Sequence, residues 1–329
     1  MNARSMGAAL TYVGAVVGAG FASGQEIYQF FARFGNRGMW GIGIVGLFFA
    51  LLGYLALERG RRGQVSSFGE LLASLYPLWM VRVGEGVTTA FLVVGLGVVA
   101  AGGGAALGDL SQTPIVVGAM LTCGLIIWVV GRGTSAVVQA NIVLVPYLIV
   151  LVLAVAMMSW SHPVRLTVVP SKGWALSAFL YLSYNIFTGI MVLIGLGTRL
   201  STRRESLGAA LLGGGVLSLL ALLEHHALMR VGNPGDLPMV DLASALHPVW
   251  GRFYAVSVWV ALFTTGVADA YALRAQYGRR IMWLVGTTFF FSFLGFQRLV
   301  ALLYPLMGVI AVMLWAPLVY QRKRSVPGG

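Results

Sequence analysis

The chain is poor in what soluble proteins depend on. Only 10% of its 329 residues are charged, and Asp and Glu together number ten, against roughly a quarter charged in ordinary soluble domains. A surface solvated on every side is therefore excluded. The single cysteine, Cys123, stands in an apolar run, which rules out a disulfide within the chain and leaves no thiolate pair for a metal. Neither a phosphate-cradling GxxxxGK[ST] loop nor a His-Glu-x-x-His pair occurs, which argues against an ATP-driven pump and a zinc hydrolase. No nucleophile stands with a base and an orienting partner, so the chain is expected not to be an enzyme. Glu224-His225-His226 offers no metal spacing, because adjacent histidines leave a helix on different sides; this group is expected at the membrane surface. No ring-forming filter sequence argues for a passive channel.

What the chain has in abundance is apolar length. Hydrophobic residues make up 58% of it and its mean hydropathy is +0.86, so it is expected to be an all-α integral membrane protein in contact with lipid. A span needs about twenty apolar residues. On that scale ten stretches qualify: 7–32, 38–57, 81–107, 114–131, 134–158, 173–198, 206–229, 250–273, 281–296 and 299–320. Ser66 to Tyr76 and Pro238 to His247 read instead as short interfacial helices. The net charge of +12 comes from basic residues scattered between the spans, which fits membrane loops and not nucleic-acid binding. With the N-terminus inside, fifteen basic residues, among them Arg59, Arg61, Arg62, Arg203, Arg204, Arg322, Lys323 and Arg324, face the cytoplasm and seven face out. The positive-inside rule then puts both termini in the cytoplasm.

The first stretch carries four glycines between Tyr12 and Gln25, at Gly14, Gly18, Gly20 and Gly24, and is expected to break as a helix. At membrane depth, non-helical backbone survives only where protein, an ion or a watery cavity satisfies it. The sixth stretch has a polar and β-branched interruption from Tyr181 to Gly189 and is the second expected break. The two breaks open two sets of five spans, 1–158 and 173–329, with no soluble domain. An odd number per set makes the second enter from the opposite face, and paired interruptions of this kind point to a solute site. Gly95, Gly97, Gly102, Gly103 and Gly104 read as close helix packing.

Ten spans as five plus five, broken in the first and sixth, resemble the LeuT fold of the amino acid, polyamine and organocation superfamily. The run Val17-Gly18-Ala19-Gly20-Phe21-Ala22-Ser23-Gly24-Gln25-Glu26-Ile27 is similar to the YkvI-type bacterial membrane proteins. The resemblance implies a multi-pass protein of the bacterial inner membrane and an inverted repeat around a mid-membrane site.

At such a break the N–H groups that start the second half-helix carry partial positive charge and suit a carboxylate, while the upstream carbonyls suit a cation. Gly18, Ala19, Gly20, Phe21, Ala22, Ser23, Gly24 and Gln25 are thus the expected substrate-binding backbone, with Tyr181, Tyr184, Asn185 and Phe187 facing them from the sixth span. Gly14 and Val17 match the pattern by which sodium-coupled relatives present carbonyls. Ala261, Thr264 and Thr265 are similar to the family's second sodium-site sequence; a small residue and two hydroxyls at three and four positions on share one helix face. The alternative for the threonines is back-bonding to their own helix. Glu26 and Asp269 are ionisable residues at membrane depth and so candidates for a gate or a proton path, with pairing to Arg33 or Arg252, and to Arg274 or Arg4, as the duller alternatives.

The expectation is a secondary transporter with no cofactor, sodium its coupling ion, for a small amino acid or related zwitterion. Proton coupling through Glu26 or Asp269 is one rival, a ligand sensor without turnover another.

Overall fold

The computed structural model describes residues 2–63, 65–132, 136–167, 172–232 and 234–319, and among these every regular element is helical. Thr134, Arg322, Lys323 and Arg324, which enter the span and orientation readings, lie outside them. Six helices are long and apolar enough to cross a membrane: α4 (Asn36–Arg61), α6 (Leu78–Ser111), α9 (Trp174–Gly197), α10 (Arg203–Leu228), α12 (Pro248–Tyr277) and α14 (Phe296–Val319), the last over Phe296–Ala316. Three shorter apolar helical stretches accompany them, α7 (Ile115–Gly131), Leu144–Ser159 of α8 (Ala136–Ser159), and Ile281–Leu294.

The first apolar stretch is not one helix. It is divided into α1 (Ala3–Val16), α2 (Ala19–Ala22) and α3 (Gln25–Phe30). Asn2 caps α1 by accepting the Ser5 N–H at 3.0 Å. At its other end Val17 adopts φ −75° and ψ 85°, and the Gly18 N–H turns back to the Val16 carbonyl at 2.9 Å, an inverse γ-turn. The second interruption, Ser23-Gly24, needs its glycine: Gly24 has φ +84°, a left-handed conformation that costs other residues about 1 kcal/mol or more.

The interruption expected at Tyr181 to Gly189 is absent; α9 runs unbroken from Trp174 to Gly197. Its polar side chains leave the ladder intact. Asn185 Nδ2 donates to the Tyr181 carbonyl at 3.1 Å and Thr188 to the Asn185 carbonyl at 2.8 Å, the local back-bonding that lets such residues sit inside membrane helices. Ser183 instead reaches the Gly308 carbonyl of α14 at 2.6 Å and accepts Trp315 Nε1 at 2.9 Å.

Two amphipathic helices lie between spans, α5 (Phe68–Leu75), capped by Ser67, and α11 (Pro238–Leu246). The ninth apolar stretch is α-helical only as α13 (Ile281–Thr287) and continues to Leu294 as a 3-10 helix. There Phe290 and Phe293 stack with centroids 6.2 Å apart, the eclipsed i, i+3 arrangement of that helix.

Small residues set the helix contacts, as expected where lipid supplies no hydrophobic drive between spans. A Cβ on Gly60 of α4 would strike the Ile194 carbonyl of α9, and one on Gly214 of α10 would come 2.7 Å from the Ala50 nitrogen of α4. The α6 glycines lie close to Phe291 at Gly97, Phe296 at Gly102 and Thr122 at Gly103. Within this frame α1 packs against α9 and α10, α2 meets α12, and α3 meets α9, α10, α11 and α14. The divided stretch therefore runs through the middle of the bundle.

Candidate functional site

The γ-turn at Val17 decides the chemistry of the first interruption. In a continuous helix the Gly18 N–H would reach the Gly14 carbonyl, and here it is spent on Val16. Among the described residues no backbone N–H donates to the carbonyls of Gly14 or Val17. Val17 is buried and Gly14 half-buried, so both oxygens keep lone pairs at depth. Unpaired polar groups there cost free energy until something satisfies them.

The carbonyls of the second interruption are taken. The Ala22 oxygen accepts the Tyr254 hydroxyl of α12 at 3.0 Å, and the Ser23 oxygen accepts the Met239 N–H of α11 at 3.0 Å. Ser23 Oγ donates to the Gly20 carbonyl at 2.8 Å and accepts the Gln25 N–H at 3.2 Å. Phe21, Ala22 and Ser23 are buried. A side chain on Gly18 would meet nothing within 4 Å, so there is open space on that side of the break.

Among the described residues Glu26 makes no ion pair with Arg33 or Arg252. Its side chain turns back over the break: a Cβ on Gly20 would collide with its carboxylate. The Tyr184 hydroxyl donates to that carboxylate, and Asn185 lies beside it. Glu26 is 5% exposed. Glu58, by contrast, forms ion pairs with Arg61 at 2.6 Å and with Arg62 at 2.8 Å. Hydrogen bonding by a neutral phenol thus stands where a basic partner was expected.

Tyr181 and Tyr184 belong to this site. Tyr181 packs on Phe31 at 4.8 Å and Phe30 at 5.6 Å, and Tyr184 on Phe30 at 5.8 Å and Tyr304 of α14 at 5.0 Å. Phe187 is one turn further along and sits elsewhere, against Phe91 of α6 at 4.8 Å and Phe68 of α5 at 5.4 Å. These contacts place Phe187 among the α5 and α6 side chains, apart from the aromatic group around Glu26.

On α12, Ala261 and Thr264 are buried and Thr265 is half-buried. The Thr264 hydroxyl donates to the Ala261 carbonyl at 3.1 Å, so back-bonding occurs, and the hydroxyl oxygen keeps its lone pairs. Asp269 does not pair with Arg274 or Arg4: Arg274 donates to the Val130 carbonyl and Arg4 to Ser201 at 2.8 Å. Asp269 faces α6, where a Cβ on Gly95 would come 2.8 Å from its Oδ2. Tyr304 lies within electrostatic range of both Asp269 and Glu26.

Sequence reasoning missed Glu224, Tyr254 and Tyr304. Glu224 and His225 are 0% and 1% exposed, inside the helix bundle. His225 Nε2 lies 3.1 Å from the Gly35 carbonyl. The signal was available, since an acid in a membrane-length apolar stretch is a functional candidate by default; the histidines after it suggested an interface instead.

No family model matches the chain. It is 28% identical over 337 residues to the uncharacterized membrane protein YkvI of Bacillus subtilis, covering 97% of both chains, and 23% identical over 318 residues to YyaD of the same organism, covering 93% of both. Among solved structures, MhsT in complex with L-phenylalanine matches 95% of this chain and 78% of its own with a TM-score of 0.55 at 19% identity. A manganese transporter from Eremococcus coleocola matches 94% and 69% with a TM-score of 0.50 at 16% identity. The fold is that of the LeuT-type transporters. At these identities the likeness concerns the path of the backbone and leaves ligands to be argued from this chain's own residues.

Proposed function

We propose that the chain is a secondary transporter that moves a small amino acid or related zwitterion by alternating access, coupled to sodium. Its spans are read as two inverted sets of five in the bacterial inner membrane, with both termini cytoplasmic. The observation that carries the proposal is the pair of carbonyls, Gly14 and Val17, freed by the γ-turn inside a membrane-depth helix. They offer oxygen to a cation, with Ala261, Thr264 and Thr265 of α12 completing the oxygen set. The N–H side of the same break receives the substrate carboxylate, and Glu26 beside Gly20 receives its ammonium. Because both ligands engage one interrupted segment, each tightens the other by one reciprocal factor.

Uptake of radiolabelled amino acids into proteoliposomes, driven by a sodium gradient or by choline in its place, tests the reading. Sodium-driven accumulation is expected; equal uptake with choline removes sodium from the mechanism.

One observation favours a second reading. Glu26 is held by Tyr184 over the break with no basic partner, and a carboxylate so placed can carry a proton. Asp269, linked to it electrostatically through Tyr304, extends the same path. Uptake driven by a pH gradient without sodium, and lost in Asp269→Asn, separates the two.

A further inference from the structure

Glu224, near the C-terminal end of α10, is fully buried, and neither of its carboxylate oxygens has a hydrogen-bond partner. The same holds for both amide atoms of Gln25 on α3. Glu224 lies within electrostatic range of Glu26. Tyr181 of α9 and Tyr254 of α12 lie within electrostatic range of it; Tyr181, Tyr184 and Tyr304 lie within range of Glu26, to which Tyr184 and Asn185 also hydrogen-bond. His225 on the same helix is engaged with the Gly35 carbonyl. Among the described residues no arginine or lysine contributes to the electrostatics of either carboxylate, although α10 also packs on α1, α4, α8 and α11.

Two buried carboxylates within electrostatic range of one another disfavour double ionisation, because like charge and loss of solvation both oppose it. The carboxylate without a hydrogen-bond donor is the less well placed to carry the charge. Glu26 has Tyr184; Glu224 has none.

We propose that Glu26 and Glu224 form a two-carboxylate site in which Glu224 is protonated when the site is empty and gives up its proton when a monovalent cationic group enters between them. The O–H bond of Glu224 breaks, its electron pair stays on the carboxylate, the proton passes to water and the cation takes its place, so the charge of the site is unchanged. The cationic group is the ammonium of the solute, which the transporter reading above brings to Glu26; in this the proposal rests on that reading. Asp109, Asp236 and Asp241, mutually coupled near α11, which packs on α3 and α10, add negative potential that concentrates cations at the approach.

The test is proton release from the purified full-length protein in weakly buffered detergent containing a pH-indicating dye, at about pH 7. Sodium chloride, ethylammonium chloride and L-alanine are added separately, with choline chloride as control. Release of about one proton per chain is expected with ethylammonium or alanine; release with sodium alone overturns the ammonium as the entering group. Glu224→Gln is expected to lower the release at least about ten-fold, and Glu224→Asp to keep it with an altered midpoint pH. Absence of release in every arm, or release that persists in Glu224→Gln, overturns the proposal. If Glu224→Gln is not monodisperse, an unshifted midpoint in Glu224→Asp overturns it equally. Sodium-driven uptake without proton release leaves the transporter standing and removes this site; release without uptake does the reverse.

Discussion

The Tyr184 hydroxyl of α9 donates to the Glu26 carboxylate of α3, joining the continuous sixth stretch to the interrupted first. A hydrogen bond to a charged group contributes about 1.5–3 kcal/mol. Tyr184→Phe is therefore expected to weaken solute affinity about ten-fold or more, with the folded yield unchanged. Concentration-dependent uptake against wild type measures it, and an unaltered half-saturation point contradicts the site.

Gly20 and Gly18 lie two residues apart and differ sharply in surroundings. A methyl on Gly20 collides with the Glu26 carboxylate, whereas one on Gly18 meets open space. Gly20→Ala is expected to displace Glu26 at a cost of about 1–3 kcal/mol and to abolish most uptake. Gly18→Ala is expected to express and melt like wild type, and if it binds solute less well, the open space is where solute sits. Equal behaviour of the two variants removes the geometry described at the break.

Thr264→Ala combined with Thr265→Ala tests the cation oxygens on α12. If those hydroxyls coordinate sodium, its apparent affinity is expected to fall about ten-fold, or about 1.4 kcal/mol, at constant expression. If Thr264 only back-bonds to Ala261, the sodium dependence stays as in wild type.

Asp241 on α11 is half-buried, accepts the Gly235 N–H at 2.7 Å and lies near Asp236. Burial first, and then its neighbour, push its carboxyl above the ordinary aspartate value. The folded state then holds a proton that the unfolded chain releases, so stability is greatest in acid and declines as pH rises through the folded pKa. Asp241→Asn is expected to raise the melting temperature in alkaline solution and to have less effect in acid. Melting curves across pH check this; a gain that is larger in acid reverses the sign and refutes it.

The first interruption was legible in the sequence because glycine at 14, 18, 20 and 24 leaves a membrane helix no side chains to lock it, and Gly24 takes a conformation that few other residues reach. The interruption expected in α9 was misread because polarity was taken for disorder of the ladder. Asn185 and Thr188 turn their polar atoms onto their own helix, a solution invisible in a string of letters. For Glu26 the expected basic partners are not the contacts it makes. Sequence offers arginines as partners for an acid, and only the tertiary path brings Gly20 beneath it and Tyr184 beside it. His247, the last residue of the short helix expected from Pro238, caps α12 by accepting the Val249 N–H at 3.2 Å. Glu224 was hidden by the same limit: its distance from Glu26 along the chain says nothing of their nearness across α3 and α10.

The ties from Tyr254 to the Ala22 carbonyl and from Met239 to the Ser23 carbonyl fasten the far piece of the first stretch to the α11–α12 corner. Among the described residues no such fastening to another helix holds the backbone at Val17 and Gly18. In the alternating access proposed above, the α2–α3 piece and that corner would then swing as one lever, pivoting where the γ-turn lies. Spin labels at positions 23 and 239 would keep their spacing while labels at 10 and 23 change theirs.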